Sequence, residues 1–286
     1  DLASQAGIKI LKQGGNAVDG AVATAFALSV TRPYYAALGG GGFMLVRMNE
    51  KISVIDHRER APLKSTADMF LKAPKKDASE IGGLAVATPG NVMGLFETHK
   101  KFGRLPWTKC LEPAIELATK GFMVDHEIFE LTRDHLKNFS PGGLKFWTHN
   151  GKPLEVGDWL KQPQLADALR LIQRKGAGGF YSGVVADDLI ATIKKEGGIM
   201  SQADLTKYKV RWLNALHEKV FDADIYTMPP PSSGGTLMLA EMKMAEKIKL
   251  QELKPWSATE YHVLGEIMRR AFFDRQYIAD PDYMKI

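Results

Sequence analysis

Four consecutive glycines, Gly39 to Gly42, run straight into the apolar stretch Phe43-Met-Leu45, and the charged string Asp56-His-Arg-Glu-Arg-Ala-Pro62 follows after one further extended segment. Glycine weakens a strand through backbone entropy, so four in a row mark a place where backbone must pass very close to something else. Arg58 sets a guanidinium near that clearance. Its planar donor fork matches a carboxylate better than an ammonium point charge would, so the two motifs together suit a small anionic substrate. Arg58 equally fits an ion pair with Asp56 or Glu59, the usual fate of arginine in a charge cluster, and the residues alone leave both readings open.

Other chemistries find less support. Ser232 and Ser233 sit in the loop Met228-Pro-Pro-Pro-Ser-Ser-Gly-Gly235, but Gly-X-Ser-X-Gly is absent, and a rigid turn whose hydroxyls bond backbone is the plainer reading. The glycine run lacks the Lys-Ser/Thr ending of a phosphate loop and precedes a strand instead of a helix. Seven histidines show no His-Glu-X-X-His spacing and no cysteine partner, so no metal site is expected. The single cysteine, Cys110, reads as buried filler in an apolar helix and excludes an internal disulfide framework. A formal charge of +5 on 286 residues, with Lys and Arg spread among acids, offers nucleic acid no basic stripe. No apolar run is long enough to cross a bilayer. The chain opens on Asp1, so its start reads as trimmed, with any signal peptide outside it.

Periodicity supplies the elements that must position these residues. Leu2 to Ile10 reads as a helix stopped at Gly14-Gly15, and Asn16 caps a second, apolar nearly all round, from Ala17 to Val30. Phe43 to Met48 and Ile52 to Ile55 form a hairpin, and Leu84 to Ala87 is expected as a third strand of the same sheet. Helical patterns then cover Val92–Phe102, Trp107–Leu117 (with Pro113 inside), His126–Leu136, Gln164–Ile172 and Val185–Lys195, and Ser201 caps a short helix. Extended pieces return at Val210–Trp212, Lys219–Phe221 and Ile225–Met228, before helices from Thr236 and Thr259. The expectation is an α+β chain of one domain, 1–286, with a mainly helical lobe over about 90–200.

Gly14-Gly-Asn-Ala-Val-Asp19, the glycine run to Phe43, Asp56 to Pro62, Thr88-Pro-Gly90, Gly197-Gly198 with Asp204-Leu205, Met228 to Gly235, and Asp274-Arg275 to Asp280-Pro-Asp282 occur in this order. Together they closely resemble the large subunit of γ-glutamyltranspeptidases over nearly the whole chain. The resemblance implies an N-terminal nucleophile hydrolase, made as one precursor that cleaves itself into two subunits and folds as a four-layer αββα sandwich. Glutathione or another γ-glutamyl donor would be the substrate, water or an amino acid or peptide the acceptor, and no cofactor is implied. Export to the periplasm or beyond is implied in the same way.

Family catalysis uses the threonine that begins the small subunit, in a Thr-Thr-His-X-Ser-Val type sequence absent here. The resemblance therefore expects no nucleophile in this chain and a small subunit as partner. Carried over by motif, Arg58 matches the arginine that grips the donor's α-carboxylate, and Arg275 one that supports the subunit junction. Gly39, Gly40, Gly41, Gly42, Ser232 and Ser233 fall near the site or that junction. His57 replaces the usual Phe or Cys, and Tyr34 and Tyr35 replace smaller residues before the glycines. A sibling acylase removing a glutaryl group, or a noncatalytic γ-glutamyl binding homologue, shares the same motifs.

Overall fold

The computed structural model describes residues 1–283. It divides into two compact units, one of residues 1–42 and 57–210, the other of residues 43–56 and 211 onward.

In the first unit, α1 (Leu2–Lys12) stops where Gly14 takes a φ of +92°, a conformation glycine adopts at little cost. The N-terminus of α2 (Ala17–Thr31) is a capping box: Asn16 Oδ1 accepts from Val18 N and Asp19 N, and Asp19 Oδ2 accepts from Asn16 N at 2.8 Å. The apolar circumference of α2 is accounted for by burial, with Val22, Phe26 and Val30 inaccessible. Against it pack α1, α3 (Asn91–Phe102) and α4 (Trp107–Lys120); α5 (His126–His135), α6 (Pro163–Lys175, packed on α4), α7 (Val184–Lys195) and the short α8 (Gln202–Lys207) complete the larger helices of this unit. Trp107 knits three of these helices. Its ring meets the rings of Phe26 and Phe96 edge-on, and its Nε1 donates to the Ile172 carbonyl at 3.0 Å. Fully buried side chains such as Phe26, Leu111 and Leu169 each contribute about 1.5–3 kcal/mol. Pro113 sits buried inside α4 without ending it.

In the second unit, β1 (Phe43–Met48) and β2 (Lys51–Asp56) pair antiparallel, with Phe43 opposite Asp56 and Met48 opposite Lys51. The two turn residues, Asn49 and Glu50, have φ of 48° and 64°, the doubly left-handed turn that matches strand twist. The third strand of this sheet is β3 (Arg211–Leu213), paired to β2. This corrects the expectation for Leu84–Ala87, where Gly83–Ala85 instead forms a 3-10 turn. The cause is local: a Cβ at Gly83 would lie 2.3 Å from the Ile193 carbonyl and 2.6 Å from Gly198 N, so the segment is pressed against the end of α7 and takes no place in a ladder. A second hairpin, β4 (Leu216–Val220) with β5 (Ala223–Thr227), precedes α9 (Ser233–Lys247) and α10 (Ala258–Asp274).

Candidate functional site

Four sequence motifs meet in the first unit. Gly42 and His57 exchange both backbone hydrogen bonds, at 3.2 and 2.9 Å. At Gly41 the expected close approach is explicit: a Cβ there would lie 2.5 Å from the His57 carbonyl oxygen, 2.7 Å from Glu59 N and 2.9 Å from Arg58 C. All three are backbone atoms, so nothing larger than hydrogen fits unless the segment carrying Arg58 shifts. The Gly40 carbonyl accepts from Gly90 N at 2.9 Å and Asn91 N at 2.8 Å, at the start of α3. Gly39 differs, because a Cβ there would meet nothing within 4 Å. The steric requirement is therefore concentrated at Gly41.

Thr88-Pro-Gly90 closes the other side. A Cβ at Gly90 would sit 2.0 Å from the His57 carbonyl oxygen and 2.1 Å from Tyr208 Oη. The Tyr208 hydroxyl donates to the Arg58 carbonyl at 2.8 Å, and Tyr181, stacked on Tyr208, donates to the Pro89 carbonyl at 2.8 Å. Burial pushes the Tyr181 hydroxyl well above the ordinary phenol range, which keeps it a donor. Arg60 and Thr88 exchange backbone hydrogen bonds at 3.1 and 2.7 Å. The backbone is thus held at residues 57, 58 and 60, while the Arg58 side chain is exposed. The Arg60 guanidinium lies 5.8 Å from the centre of the Tyr208 ring, within cation–π reach. Next along, Leu63 N donates to Asp204 Oδ1 at 2.5 Å, while Ser201 N and Oγ both donate to Asp204 Oδ2 at 2.7 Å. Burial raises the Asp204 carboxyl, but these bonds outweigh it and hold the group below its usual range.

His57 is buried, with its ring against α3 where Gly94 leaves room: a Cβ on Gly94 would lie 2.2 Å from His57 Cγ. Tyr34 is turned to Thr132, its Oη 2.6 Å from Thr132 Oγ1, and its ring is 5.4 Å from that of Trp147, whereas Tyr35 is exposed. Neither Tyr181 nor Tyr208 stood out in the sequence. Tyr181 ends the short helix Gly178–Tyr181 and Tyr208 directly follows α8, and only the fold shows that they reach back to residues 89 and 58.

Ser232, Ser233 and Arg275 belong to the second unit. Arg275 Nε lies 3.4 Å from Ser233 Oγ, so the structure brings these two together, and Arg275 is exposed. Gly235 fits the loop because a Cβ there would lie 2.1 Å from the Met228 carbonyl oxygen. In the same unit Arg211 spends every N–H on carboxylates. Nε and Nη2 donate to Asp56 Oδ2 at 2.9 and 2.6 Å, Nη1 to Asp280 Oδ1 and Asp282 Oδ2 at 2.9 and 2.7 Å, and Nη2 to Asp280 Oδ2 at 3.0 Å. That saturates all of the donors a guanidinium has.

The sequence pattern described as Gamma-glutamyltranspeptidase matches residues 3–286. The chain is 40% identical over 293 residues to the glutathione hydrolase proenzyme of Pseudomonas sp. (strain A14), a match covering 99% of this chain and 51% of that protein. It is 34% identical over 298 residues to the Acylase ACY 1 proenzyme of Pseudomonas sp. (strain SE83), covering 100% of this chain and 53% of that protein. Among solved structures, the Helicobacter pylori gamma-glutamyltranspeptidase is similar with a TM-score of 0.96 at 35% identity, covering 100% of this chain and 84% of that one. The chain spans about half the length of the curated relatives it matches.

Proposed function

The chain belongs to the γ-glutamyltranspeptidase family, and from that premise we propose that it is large-subunit sequence of an enzyme that moves the γ-glutamyl group of glutathione-like donors to water or an amine. Arg58 anchors the donor's α-carboxylate. The nucleophile is the threonine that begins a small subunit from the same precursor, its own α-amine taking the hydroxyl proton as the oxygen attacks the γ-carbonyl. The amine leaves, and water or an acceptor amine then attacks the acyl-enzyme. Donors that stabilise the tetrahedral oxyanion also come from the small subunit. The reading needs no cofactor and places the enzyme in the periplasm or outside the cell, as its resemblance implies.

The observation that supports Arg58 most is its footing: the exposed side chain rides on backbone fixed by the close approach of Gly41, the Gly42–His57 bond pair and the Tyr208 hydroxyl. An anchor requires such a fixed base. The 34% identity to an acylase proenzyme favours a second reading, removal of a glutaryl group. That substrate lacks the α-amine but keeps a carboxylate, so Arg58 serves both.

Donor kinetics on the matured enzyme test the assignment, with a γ-glutamyl anilide, a glutaryl anilide and a matched amide lacking the carboxylate. Arg58→Ala should cost about 2–5 kcal/mol of donor binding, or roughly 30-fold to several-thousand-fold in affinity. Arg58→Lys, which keeps the charge but loses the fork, should fall between. Arg60→Ala should treat carboxylate and non-carboxylate substrates alike. Equal penalties on all substrates for Arg58→Ala would make it a structural residue, and a carboxylate-selective defect at Arg60 would move the anchor there. Preference between the two anilides decides between the transferase and acylase readings, and turnover of neither would support a noncatalytic homologue.

A further inference from the structure

Away from this site, α2, α3 and α4 bring Asp19, His99 and Cys110 together, each side chain nine-tenths or more buried. We propose that these three side chains form a binding site for a thiophilic divalent cation, zinc, fastening the first turn of α2 to α3 and α4. His99 Nε2 lies 3.3 Å from Asp19 Oδ1, Cys110 Sγ lies 3.9 Å from the same oxygen, and all three ligand atoms fall within 4.8 Å of one another. Zinc takes thiolate, imidazole and carboxylate at about 2.3, 2.0–2.1 and 2.0–2.2 Å, so at tetrahedral angles its ligand atoms stand roughly 3.3 to 3.6 Å apart. Nitrogen and oxygen already stand at that spacing, sulfur and oxygen must close by a few tenths of an ångström, and sulfur and nitrogen, which lie within 4.8 Å, must close by up to about 1.2 Å.

A second observation points into the same space. His99 Nε2 is buried and, although 3.3 Å from Asp19 Oδ1, has no partner in well-aligned hydrogen-bond geometry, while the ring also interacts with the Leu105 backbone. In metal-bound histidines a backbone group commonly holds the ring in place while one nitrogen offers its lone pair to the metal. Asp19 is oriented in turn by the amides of Asn16, Arg104 and Leu105. The donor set of one sulfur, one nitrogen and one oxygen suits zinc and disfavours magnesium or calcium, which take oxygen ligands. On binding, the Cys110 thiol gives its proton to solvent as the sulfur–metal bond forms, and a three-ligand site leaves its fourth position to water. Ligands at 19, 99 and 110 share no short spacing, so no sequence motif announces them.

The test uses the full-length, matured gene product, stripped with a chelator and then titrated with zinc chloride, and separately with cobalt chloride. Wild type should retain one zinc per chain through gel filtration and show a thiolate-to-cobalt charge-transfer band in the near ultraviolet. Cys110→Ser should lose the band, and it should weaken zinc binding by at least about the 10- to 100-fold seen for changes around metal ligands. His99→Gln should weaken zinc similarly while keeping a sulfur-derived band at high cobalt. Circular dichroism identifies any variant that does not fold, and Cys110→Ser, the smallest change, carries the decision. Wild type that retains no zinc, or the same zinc content in wild type and Cys110→Ser, would overturn the proposal and leave the cluster as a buried hydrogen-bonded tie.

Discussion

At the residue scale, the four glycines read alike in sequence but differ once placed. Gly41 faces three backbone atoms at 2.5 to 2.9 Å where a Cβ would go, and Gly39 faces nothing within 4 Å. Gly41→Val should therefore cost about 1–3 kcal/mol by overpacking, while displacing the backbone on which Arg58 rides. Gly39→Ala should stay within about 0.5 kcal/mol of wild type. Thermal unfolding together with donor kinetics checks both, and a fully active Gly41→Val enzyme would show that the run is only a loose loop. Arg58 illustrates the opposite limit of legibility. Its residue type and motif were readable, but the hydrogen-bond partner of its carbonyl, Tyr208, lies 150 positions away in sequence and leaves no local signature.

At the element scale, local signals performed as their physics predicts. The Asn16 and Ser201 caps, the glycine stop after α1, and the β1–β2 hairpin were all legible, because each is set by a few neighbouring residues. The strand expected at Leu84–Ala87 was not, because close packing at Gly83 and Gly198 decides that segment. The capping box of α8 also does more than its spacing announces, since Asp204 accepts a hydrogen bond from Leu63 N beyond Pro62. Asp204→Ala should lose the cap, about 0.5–2 kcal/mol, and strand the Leu63 amide, about 1–3 kcal/mol. The pH dependence has a definite sign. A folded carboxyl held below its ordinary 3.8 stabilises fully above that value, and the stabilisation disappears as pH falls through the lower folded value. The advantage of wild type over Asp204→Asn in urea unfolding should accordingly be constant from neutral pH to about 5 and shrink in stronger acid. An advantage that grows on acidification would contradict the assignment.

At the scale of the whole molecule, the ordered motifs made the family legible. What they could not convey is how much apolar surface this chain exposes. In the second unit Trp256 is 82% exposed, Phe273 65%, Tyr277 55% and Met268 50%, while the relatives run to about twice this length. Exposed apolar side chains of that size and number mark an interaction surface, and the proposed small subunit is the partner that the family supplies. The 286-residue chain expressed alone should therefore self-associate and show no donor turnover. Coexpression with the remainder of its gene should yield a complex of two chains, the smaller beginning with threonine by mass spectrometry. Full activity from the isolated chain would sink the two-chain reading. Arg275 sharpens the test, because it is exposed and its hydrogen bond to Ser233 is a long 3.4 Å, too weak a tie to be its main role. If the partner buries it against a carboxylate, Arg275→Ala leaves that charge alone at a cost of about 3–5 kcal/mol, slowing precursor cleavage or loosening the complex. Ser233→Ala, which removes only the internal bond, should change neither. Cleavage and melting temperature unaltered in Arg275→Ala would return the residue to the surface, whatever the fate of the two-chain reading.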